Sequence, residues 1–307
     1  MTNAALLIAN PRAGGGRFVD GERPGPRLEA VASDLRGAGF DLEVVVTRHA
    51  EEAKELAERA REQRLHTVFA LGGDGTFREI ASSLVGSSVH LGILGGGTTN
   101  VLPLSLGLPR LAGPMASALR QSWASARLDV GRLRDGKGRE ELFLMMVSRG
   151  LDARVLAATP PERKRRLGRL GIGLTALEHW VGNAEEAIDV TVDGTQDLAR
   201  FVAVQNIQHY GGRRRMAPGA LPDDGLFDVV SLETSGRLAL LRFAAGVLTT
   251  THPRLHDVEL RPASVVHFGG CGPGALQVDG DPLTLELPVR VDLLPRAISW
   301  LRPKSVE

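Results

Sequence analysis

The segment Leu71-Gly-Gly-Asp-Gly-Thr76 restricts the fold of this chain more than any other. It follows residues 66–71, a short apolar run that predicts a buried strand. After it, apolar residues recur at helical spacing, at Phe77, Ile80, Ala81, Leu84 and Val85. Three glycines and one carboxylate therefore lie at a strand-to-helix turn. Glycine there lets the backbone approach a ligand closely and adopt positive φ, so we expect phosphate binding at the helix N-terminus.

Two more glycine-rich loops follow predicted strands. Residues 4–9 predict the first strand, and Asn10-Pro-Arg-Ala-Gly-Gly-Gly-Arg17 comes directly after it. Residues 90–94 predict a fourth strand, followed by Gly95-Gly-Gly-Thr-Thr-Asn100. None of the loops has the Gly-Lys-Ser/Thr ending of a Walker A motif. A carboxylate such as Asp74 needs a metal ion or a hydroxyl donor beside it to face a phosphate.

Strands and helices alternate four times in the first part of the chain, with the second strand at residues 41–47. This alternation predicts an α/β domain with a parallel sheet and helices on both faces. The carboxyl ends of parallel strands lie at one edge of the sheet, where open α/β sheets bind ligands. We therefore expect the three glycine-rich loops to form one site.

The pattern changes near Arg127, beyond which short β-rich runs alternate with turns. These runs predict a mostly antiparallel β domain, with helices at residues 163–180 and 237–250. The predicted strands are 128–134, 142–147, 187–192, 201–205, 227–232, 264–268, 276–278 and 283–287. We place the first domain at 1–127 and the second at 128–290. The segment 291–307 is predicted to pack back on the first domain.

Composition fits a soluble globular protein, since 43% of residues are hydrophobic and 24% are charged. The 307 residues suit two domains of ~150 residues each. A net charge of +1 gives no basic field for nucleic acid. Cys271 is the one cysteine, which excludes an internal disulfide and a cysteine-based zinc site. Without a basic leader, and with glycine and proline interrupting the charge-free run 90–109, we expect a cytoplasmic protein.

The ordered set of motifs resembles the diacylglycerol kinase catalytic family, which includes bacterial lipid kinases and the sphingosine and ceramide kinases. The resemblance covers the whole chain. Its motifs are Asn10-Pro11 with Gly14, Gly72-Gly-Asp-Gly-Thr76 with Glu79, Gly97-Thr-Thr-Asn100, Asp129-Val-Gly131, Gly150-Leu-Asp152, Ala217-Pro218 with Ala220, Asp224-Gly225 and Val278-Asp279-Gly280. It implies an ATP-dependent lipid kinase whose α/β domain binds Mg-ATP and whose β-sandwich domain binds the lipid, an architecture similar to that of NAD kinases.

The resemblance also implies roles for single residues. Asp279 would be the general base that takes the proton from the lipid hydroxyl. Asp224 and the carbonyls of Leu221 and Leu226 would hold a structural Mg²⁺. Asp74 and Asp129 would link that site to a second, ATP-bound Mg²⁺ across an interdomain cleft. ATP would be held by Asn10, Pro11, Arg12, Ala13, Gly14, Thr47, Gly72, Gly73, Asp74, Gly75, Thr76, Glu79, Gly97, Thr98 and Asn100.

Each of these assignments has a plainer structural alternative. Asp279 also suits the turn of a β-hairpin, Asp224 suits a turn by itself, and Asp129 suits the start of a strand. The basic stretch 163–169 precedes an apolar run and suits either a membrane surface or solvent. Arg213, Arg214 and Arg215 form a second basic cluster that suits lipid phosphates or solvent.

Two other functions stay open at this point. A kinase of the NAD kinase type shares Gly-Gly-Asp-Gly and would phosphorylate a soluble acceptor. A catalytically inactive sensor would bind nucleotide or lipid without transfer. Among lipid acceptors, diacylglycerol, a sphingoid base, ceramide and phosphatidylglycerol are all compatible with the sequence. An edge strand of the β domain could pair across a homodimer.

Overall fold

The computed structural model describes residues 3–20, 23–49, 51–160, 162, 175 and 187–304. The chain divides into two units, one of Met1–Val130 with Pro295–Glu307 and one of Gly131–Leu294. The sequence places these boundaries at 127 and 290. The predicted helix 163–180 and its basic stretch 163–169 lie outside the described residues. No helix among the described residues has the length and apolarity needed to cross a bilayer.

The first unit is built on parallel strands joined by helices. Its helices are α1 (Pro26–Gly37), α2 (Glu52–Glu62), α3 (Asp74–Leu84), α4 (Val101–Ser105) and α5 (Ala112–Gln121). Its strands are β1 (Asn3–Ala9), β2 (Val19–Asp20), β3 (Arg23–Pro24), β4 (Phe40–Val46), β5 (Thr67–Gly72) and β6 (His90–Gly95), and the strand β7 (Trp123–Arg134) starts here and continues into the second unit.

The main sheet of the first unit has the order β6-β5-β1-β4, and all of its pairs are parallel. The chain moves from β1 to β4 on one side and then crosses to β5 and β6 on the other. Because such crossovers are right-handed, α1 lies on one face and α2 and α3 on the opposite face. α1 packs with α5, and α2 packs with α3. Every residue of β5 is buried, as expected for a strand covered on both faces.

The second unit contains most of the remaining strands. They are β8 (Glu140–Phe143), β9 (Met146–Arg149), β10 (Ile188–Val192), β11 (Thr195–Ala199), β12 (Phe201–Gln205), β13 (His209–Tyr210), β14 (Arg214–Arg215), β15 (Phe227–Leu232), β16 (Val258–Ala263) and β17 (Val265–Val278), with the strand β18 (Asp281–Pro303) passing back into the first unit. Its described helices are α6 (Leu151–Ala158) and α7 (Arg237–Thr249), and a 3-10 turn at His252–Arg254 follows α7.

These strands pair in antiparallel fashion, in the order β16-β15-β12-β9-β17. β10 pairs with β17 and with β11, and β17 also pairs with the first part of β18. Alternate residues of the strands face a hydrophobic core that includes Phe143, Val204, Phe227, Phe268 and Val289. The predicted α/β domain followed by a mostly antiparallel β domain is therefore confirmed.

The structure corrects several of the predicted element bounds. The single strand predicted at 142–147 is two strands, β8 and β9. The strand is interrupted because the backbone amides of residues 144–146 donate to the carboxylate of Asp279. The strands predicted at 264–268 and 276–278 belong to one long strand, β17, with an irregularity between Phe268 and Gly272. The helices α4 and α5 were not predicted, since Pro103, Gly113 and Pro114 interrupt their helical patterns, and the two-turn helix α6 was also not predicted.

Residues 299–301 add a fifth strand to the main sheet of the first unit. Ser299, Trp300 and Leu301 of β18 pair in parallel with His90, Leu91 and Gly92 of β6. The indole Nε1 of Trp300 donates to the carbonyl of Arg127 at 3.1 Å. This sheet therefore has the order β18-β6-β5-β1-β4.

Candidate active site

The carboxyl ends of β1 and β5 form the point at which the direction of the sheet connections reverses. From β1 the chain runs to β4 on one side, and from β5 it runs to β6 on the other. In open parallel sheets this switch point leaves a crevice in which ligands bind. The loops that follow β1, β5 and β6 are the three glycine-rich loops of the sequence.

Hydrogen bonds join these three loops to one another. The amide of Asn10 donates to the carbonyl of Leu71 at 2.9 Å, and its side-chain Nδ2 donates to Thr76 Oγ1 at 3.2 Å. The amide of Gly96 donates to the carbonyl of Gly72 at 2.7 Å, and the Gly14 amide donates to the Gly96 carbonyl. The predicted meeting of the loops at one sheet edge is thus what the structure contains.

Glycine is required in these loops chiefly by the closeness of neighbouring atoms. A Cβ on Gly72 would lie 2.5 Å from Thr76 Oγ1, and one on Gly97 would lie 2.8 Å from the Cα of Gly73. A Cβ on Gly96 would lie 2.7 Å from that of Ala13. The loops are therefore packed backbone against backbone.

The expected positive φ is found in a different loop from the predicted one. Gly72, Gly73 and Gly75 are absent from the positive-φ residues, and Gly73 is extended, with φ −99° and ψ −176°. Gly14, Gly15 and Gly16 carry the left-handed backbone, with φ of 59°, 70° and 81°. The reason is that β5 enters α3 directly, without the tight reversal that the first loop makes.

Asp74 opens α3 and also holds the start of the next helix. Its Oδ2 accepts from the Val101 amide and its Oδ1 from the Leu102 amide, both at 3.0 Å. These amides belong to the first turn of α4, whose donors have no acceptor within the helix. Asp74 therefore fixes the third loop relative to the second, a contact that the sequence alone does not reveal because α4 is interrupted by Pro103.

Asn100 performs a similar task within the third loop. Its Oδ1 accepts from the Gly97 amide at 2.8 Å, and its Nδ2 donates to the Arg110 carbonyl at 2.7 Å. It is buried, with φ of 48°. Thr98, in contrast, is exposed. Asn100 thus acts through the backbone of the loop, while Thr98 is the more accessible of the two, and its contact with ATP stays a prediction.

The other predicted ATP-binding residues vary in exposure. Thr47 is buried at the end of β4, where its amide donates to the Ala9 carbonyl at 3.0 Å. Arg12 is exposed and Ala13 is buried, while Pro11 and Glu79 are half-buried. Of these, Arg12 offers an accessible positive charge in the first loop.

Asp129 lies in β7 and is fully buried. Its Oδ1 accepts from the backbone amide of Arg296 at 2.5 Å. This bond ties the returning end of the chain to β7 within the first unit. The backbone of Asp129 is part of a strand, as its plainer structural alternative predicts. The link of its carboxylate to a metal ion stays a prediction.

In the second unit, the carboxylate of Asp279 accepts hydrogen bonds from three backbone amides. Its Oδ2 accepts from the Leu144 amide and its Oδ1 from the amides of Met145 and Met146, each at 2.9 Å. Asp279 and Gly280, with φ of 50° and 90°, form the two-residue turn between β17 and β18. The backbone of Asp279 therefore forms a hairpin turn, as the structural alternative predicts. Its carboxylate is oriented by the amides of the segment that connects β8 and β9.

Asp224 lies in an exposed turn of the second unit. Its Oδ1 accepts from the Leu226 amide at 3.0 Å, and Leu221 and Leu226 are exposed. Burial, and then the negative charge of Asp224, raise the pKa of Asp228 above its usual value. Within the described residues no cluster of three or more His, Cys, Asp or Glu side chains could hold a metal ion. An ion at this turn would depend on carbonyl oxygens in addition to Asp224.

A polar cluster beside Asp279 received no role from the sequence. Ser148 Oγ lies 2.5 Å from Asp152 Oδ2 and 2.6 Å from Gln277 Oε1, and the Tyr210 hydroxyl donates to Asp152 Oδ2 at 3.1 Å. Burial raises the pKa of Asp152, and burial together with the Asp152 charge raises that of Tyr210 well above its usual value. In the sequence, the Gly150-Leu-Asp152 motif was the one feature that pointed to a member of this cluster, Asp152.

Two family models match the chain. The diacylglycerol kinase catalytic domain matches residues 4–133, and the YegS C-terminal NAD kinase beta sandwich-like domain matches residues 145–302, which is more than half of the chain. This chain belongs to the diacylglycerol kinase-like family of lipid kinases.

Relatives of this lipid kinase family align over nearly all of the chain. A diacylglycerol kinase of Mycobacterium tuberculosis is 27% identical and covers 97% of this chain and 94% of its own length. A Klebsiella pneumoniae protein named "Probable lipid kinase YegS-like" is 28% identical, over 91% and 92%. The fold is that of a crystal structure of a diacylglycerol kinase from Bacillus anthracis, with a TM-score of 0.78, 23% identity and 99% coverage of both chains.

Proposed function

We propose that this protein transfers the γ-phosphoryl group of ATP to the hydroxyl group of a lipid acceptor of the diacylglycerol class. The observation that carries the proposal is the convergence of three glycine-rich loops on the N-terminus of α3, at the switch point of the parallel sheet. The names of the relatives supply the acceptor class.

The loop residues suit a polyphosphate chemically. The amides of Gly75 and Thr76 belong to the first turn of α3, where the helix dipole and the amide donors of the first turn favour an anion. The glycine packing leaves backbone rather than side chains in the loops, so phosphate oxygens can approach closely. Exposed Arg12 and Thr98 add a charge and a hydroxyl donor.

Asp279 is proposed as the base that receives the proton of the acceptor hydroxyl. Three backbone amides fix the plane of its carboxylate, so its orientation is set before the substrate binds. A positioned general base typically contributes ~10²–10⁴-fold to a rate. Phosphoryl transfer otherwise depends on positioning and charge neutralisation, for which the loops provide the amide donors.

A divalent cation fits the oxygen-rich donor set, since carboxylate and carbonyl oxygens are the ligands that Mg²⁺ prefers. Asp224, with the carbonyls of Leu221 and Leu226, is proposed as one set of ligands, and Asp74 and Asp129 as the carboxylates that orient the other. When bound, Mg²⁺ would neutralise phosphate charge. Asp74 also keeps the third loop in place through α4.

The test is transfer of label from γ-labelled ATP to lipid in mixed micelles containing Mg²⁺. Diacylglycerol, sphingosine, ceramide and phosphatidylglycerol are offered in separate reactions, and NAD⁺ in another. Wild type is expected to label diacylglycerol, and Asp279→Asn is expected to lose about 10²–10⁴-fold in kcat. Labelled NAD⁺ without labelled lipid would refute the proposal, as would saturable ATP binding with no transfer to any acceptor.

Asp135→Asn is the matched control for this substitution. Asp135 is exposed to the same extent as Asp279, at 8%, and also accepts three backbone amides, from Lys137, Arg139 and Glu286. Loss of a backbone acceptor should therefore destabilise both variants by about 1–3 kcal/mol. Only Asp279→Asn should lose activity beyond what its melting curve explains.

A further inference from the structure

The outer face of α7 carries an apolar stripe that nothing in the described chain covers. Leu238, Leu241 and Leu248 are exposed to 81%, 54% and 57%. With exposed Ala245 they recur at i, i+3, i+7 and i+10, which places them along one line of the helix. The opposite face buries Ala239, Phe243, Gly246 and Val247 against the unit. The helix is therefore apolar on both faces, although one faces water.

A cluster of three arginines lies beside this helix. β14 packs against α7, and Arg213, Arg214 and Arg215 are all exposed. The connection is held by His252 Nε2, which lies 2.7 Å from the carbonyl of Met216, directly after the cluster. The His252 ring also makes an edge contact with Phe243 of α7, at 5.9 Å between ring centroids. The stripe and the arginines thus lie on two elements of the second unit that pack against each other.

The charge of this surface is uniformly positive along the chain segments that form it. Residues 198–222 and 234–256 contain no Asp or Glu. Among the described residues no ion pair involves Arg213, Arg214 or Arg215. Burial, and then the charges of Arg215 and Arg213, lower the pKa of His209. The arginine charges therefore act together on His209, and no carboxylate in the described part of the chain forms an ion pair with them.

We propose that the α7 stripe and the Arg213–Arg215 cluster dock this protein on an anionic lipid bilayer. Leucines on one helix face, bordered by arginines, are the combination that lies in a bilayer interface, where the apolar chains enter the acyl boundary and the guanidinium groups meet headgroup phosphates.

A second copy of the chain suits this surface less well. Apolar patches on monomeric proteins typically measure a few hundred Å², whereas a stable interface buries about 800 Å² on each partner. A two-fold pairing through the stripe would also bring two copies of a three-arginine cluster toward one interface, where like charges repel. Charge complementarity therefore favours a lipid phosphate plane.

The docking surface rests on the proposed function only in its purpose, since a lipid acceptor resides in a membrane. Binding itself is measured without any transfer. We would sediment the protein with vesicles of phosphatidylcholine alone and of phosphatidylcholine mixed with phosphatidylglycerol, at low and high salt. We expect binding to the anionic vesicles and its loss at high salt.

Two sets of variants test the two components of the surface. Leu238→Ser with Leu241→Ser should weaken vesicle binding at least ~10-fold by removing inserted apolar area. Arg213→Gln with Arg214→Gln and Arg215→Gln should weaken it about 100-fold, at roughly fivefold for each charge. Leu198→Ser is the matched control, because Leu198 is 62% exposed and lies on β11, which is part of neither the stripe nor the arginine cluster. Its binding should equal that of wild type.

Equal binding by wild type and by both sets of variants would overturn the proposal. So would a dimer in solution that the leucine substitutions convert to a monomer, since the stripe would then be a subunit interface. Transfer to a short-chain, monomeric diacylglycerol is measured in parallel. Variants that keep this transfer but lose vesicle binding support the docking surface, and wild type that transfers without binding vesicles refutes it while the kinase assignment stands.

Discussion

At the scale of single residues, the glycine-rich loops depend on neighbouring side chains that lie where the Cβ of a larger residue would be. Thr76 Oγ1 lies 2.5 Å from the place of a Cβ on Gly72 and accepts from Asn10 Nδ2. One atom therefore fixes the second loop against the first. Glycine is required here by a neighbour, since the backbone of Gly72 is not left-handed.

Gly72→Ala is expected to displace Thr76, break its bond with Asn10 and lower the free energy of unfolding by about 1–3 kcal/mol. ATP affinity should fall with it. Gly113→Ala in α5 is the matched control, because no atom lies within 4 Å of its added Cβ and its φ is not positive. That change should stabilise the protein by about 0.4–1 kcal/mol. Chemical denaturation and calorimetric ATP titration measure both effects. An unchanged free energy of unfolding for Gly72→Ala would contradict the prediction, because it would mean that the loops rearrange around the added methyl group.

Asp152 gives the second unit a predicted pH dependence. Burial raises its pKa in the folded protein, so between the unfolded and folded pKa values the folded state holds more protons and stability falls as pH rises. Asp152→Asn should remove this fall and stabilise the protein by about 1 kcal/mol at neutral pH, since an amide can donate where the protonated carboxyl does. Unfolding curves from pH 4 to 8, with the half-buried, ion-paired Asp34 changed to Asn as the control, measure it. A pH dependence that survives the substitution would assign it to another group.

At the scale of elements, α4 is held from outside by Asp74. Its first two amides, of Val101 and Leu102, donate to one carboxylate from another helix. Asp74→Ala should cost about 0.5–2 kcal/mol of stability, as loss of a cap does. Asp34→Ala, which removes only the surface ion pair with Arg120, should cost under about 1 kcal/mol. Thermal denaturation of the two variants provides the comparison, and equal costs would mean that α4 needs no cap.

The elements also separate what the sequence reveals from what it hides. Strands 201–205 and 227–232 were predicted with their observed bounds because each is a β-branched or apolar run bounded by turns. α4 and the break between β8 and β9 were missed, because both are set by distant carboxylates, Asp74 and Asp279. The three loops were predicted to meet because parallel topology alone brings strand ends together. Their bonds to one another needed coordinates.

At the scale of the whole molecule, ligand binding should raise the stability of the folded chain. A ligand at 100 times its Kd adds about 2.7 kcal/mol when it binds only the folded state. We expect Mg-ATP to raise the melting temperature of wild type in proportion to the logarithm of its concentration. Gly72→Ala should respond less, and Gly113→Ala as wild type. A melting temperature independent of Mg-ATP would contradict nucleotide binding by these loops.

The return of β18 to β6 also determines when the chain can complete its nucleotide-binding sheet during synthesis. Ser299, Trp300 and Leu301 are translated some two hundred residues after the strand with which they pair, β6. Until they leave the ribosome, β6 has an open edge, and the nascent chain exposes it to other strands. The main sheet of the N-terminal unit can therefore be completed only after the second unit has been synthesised.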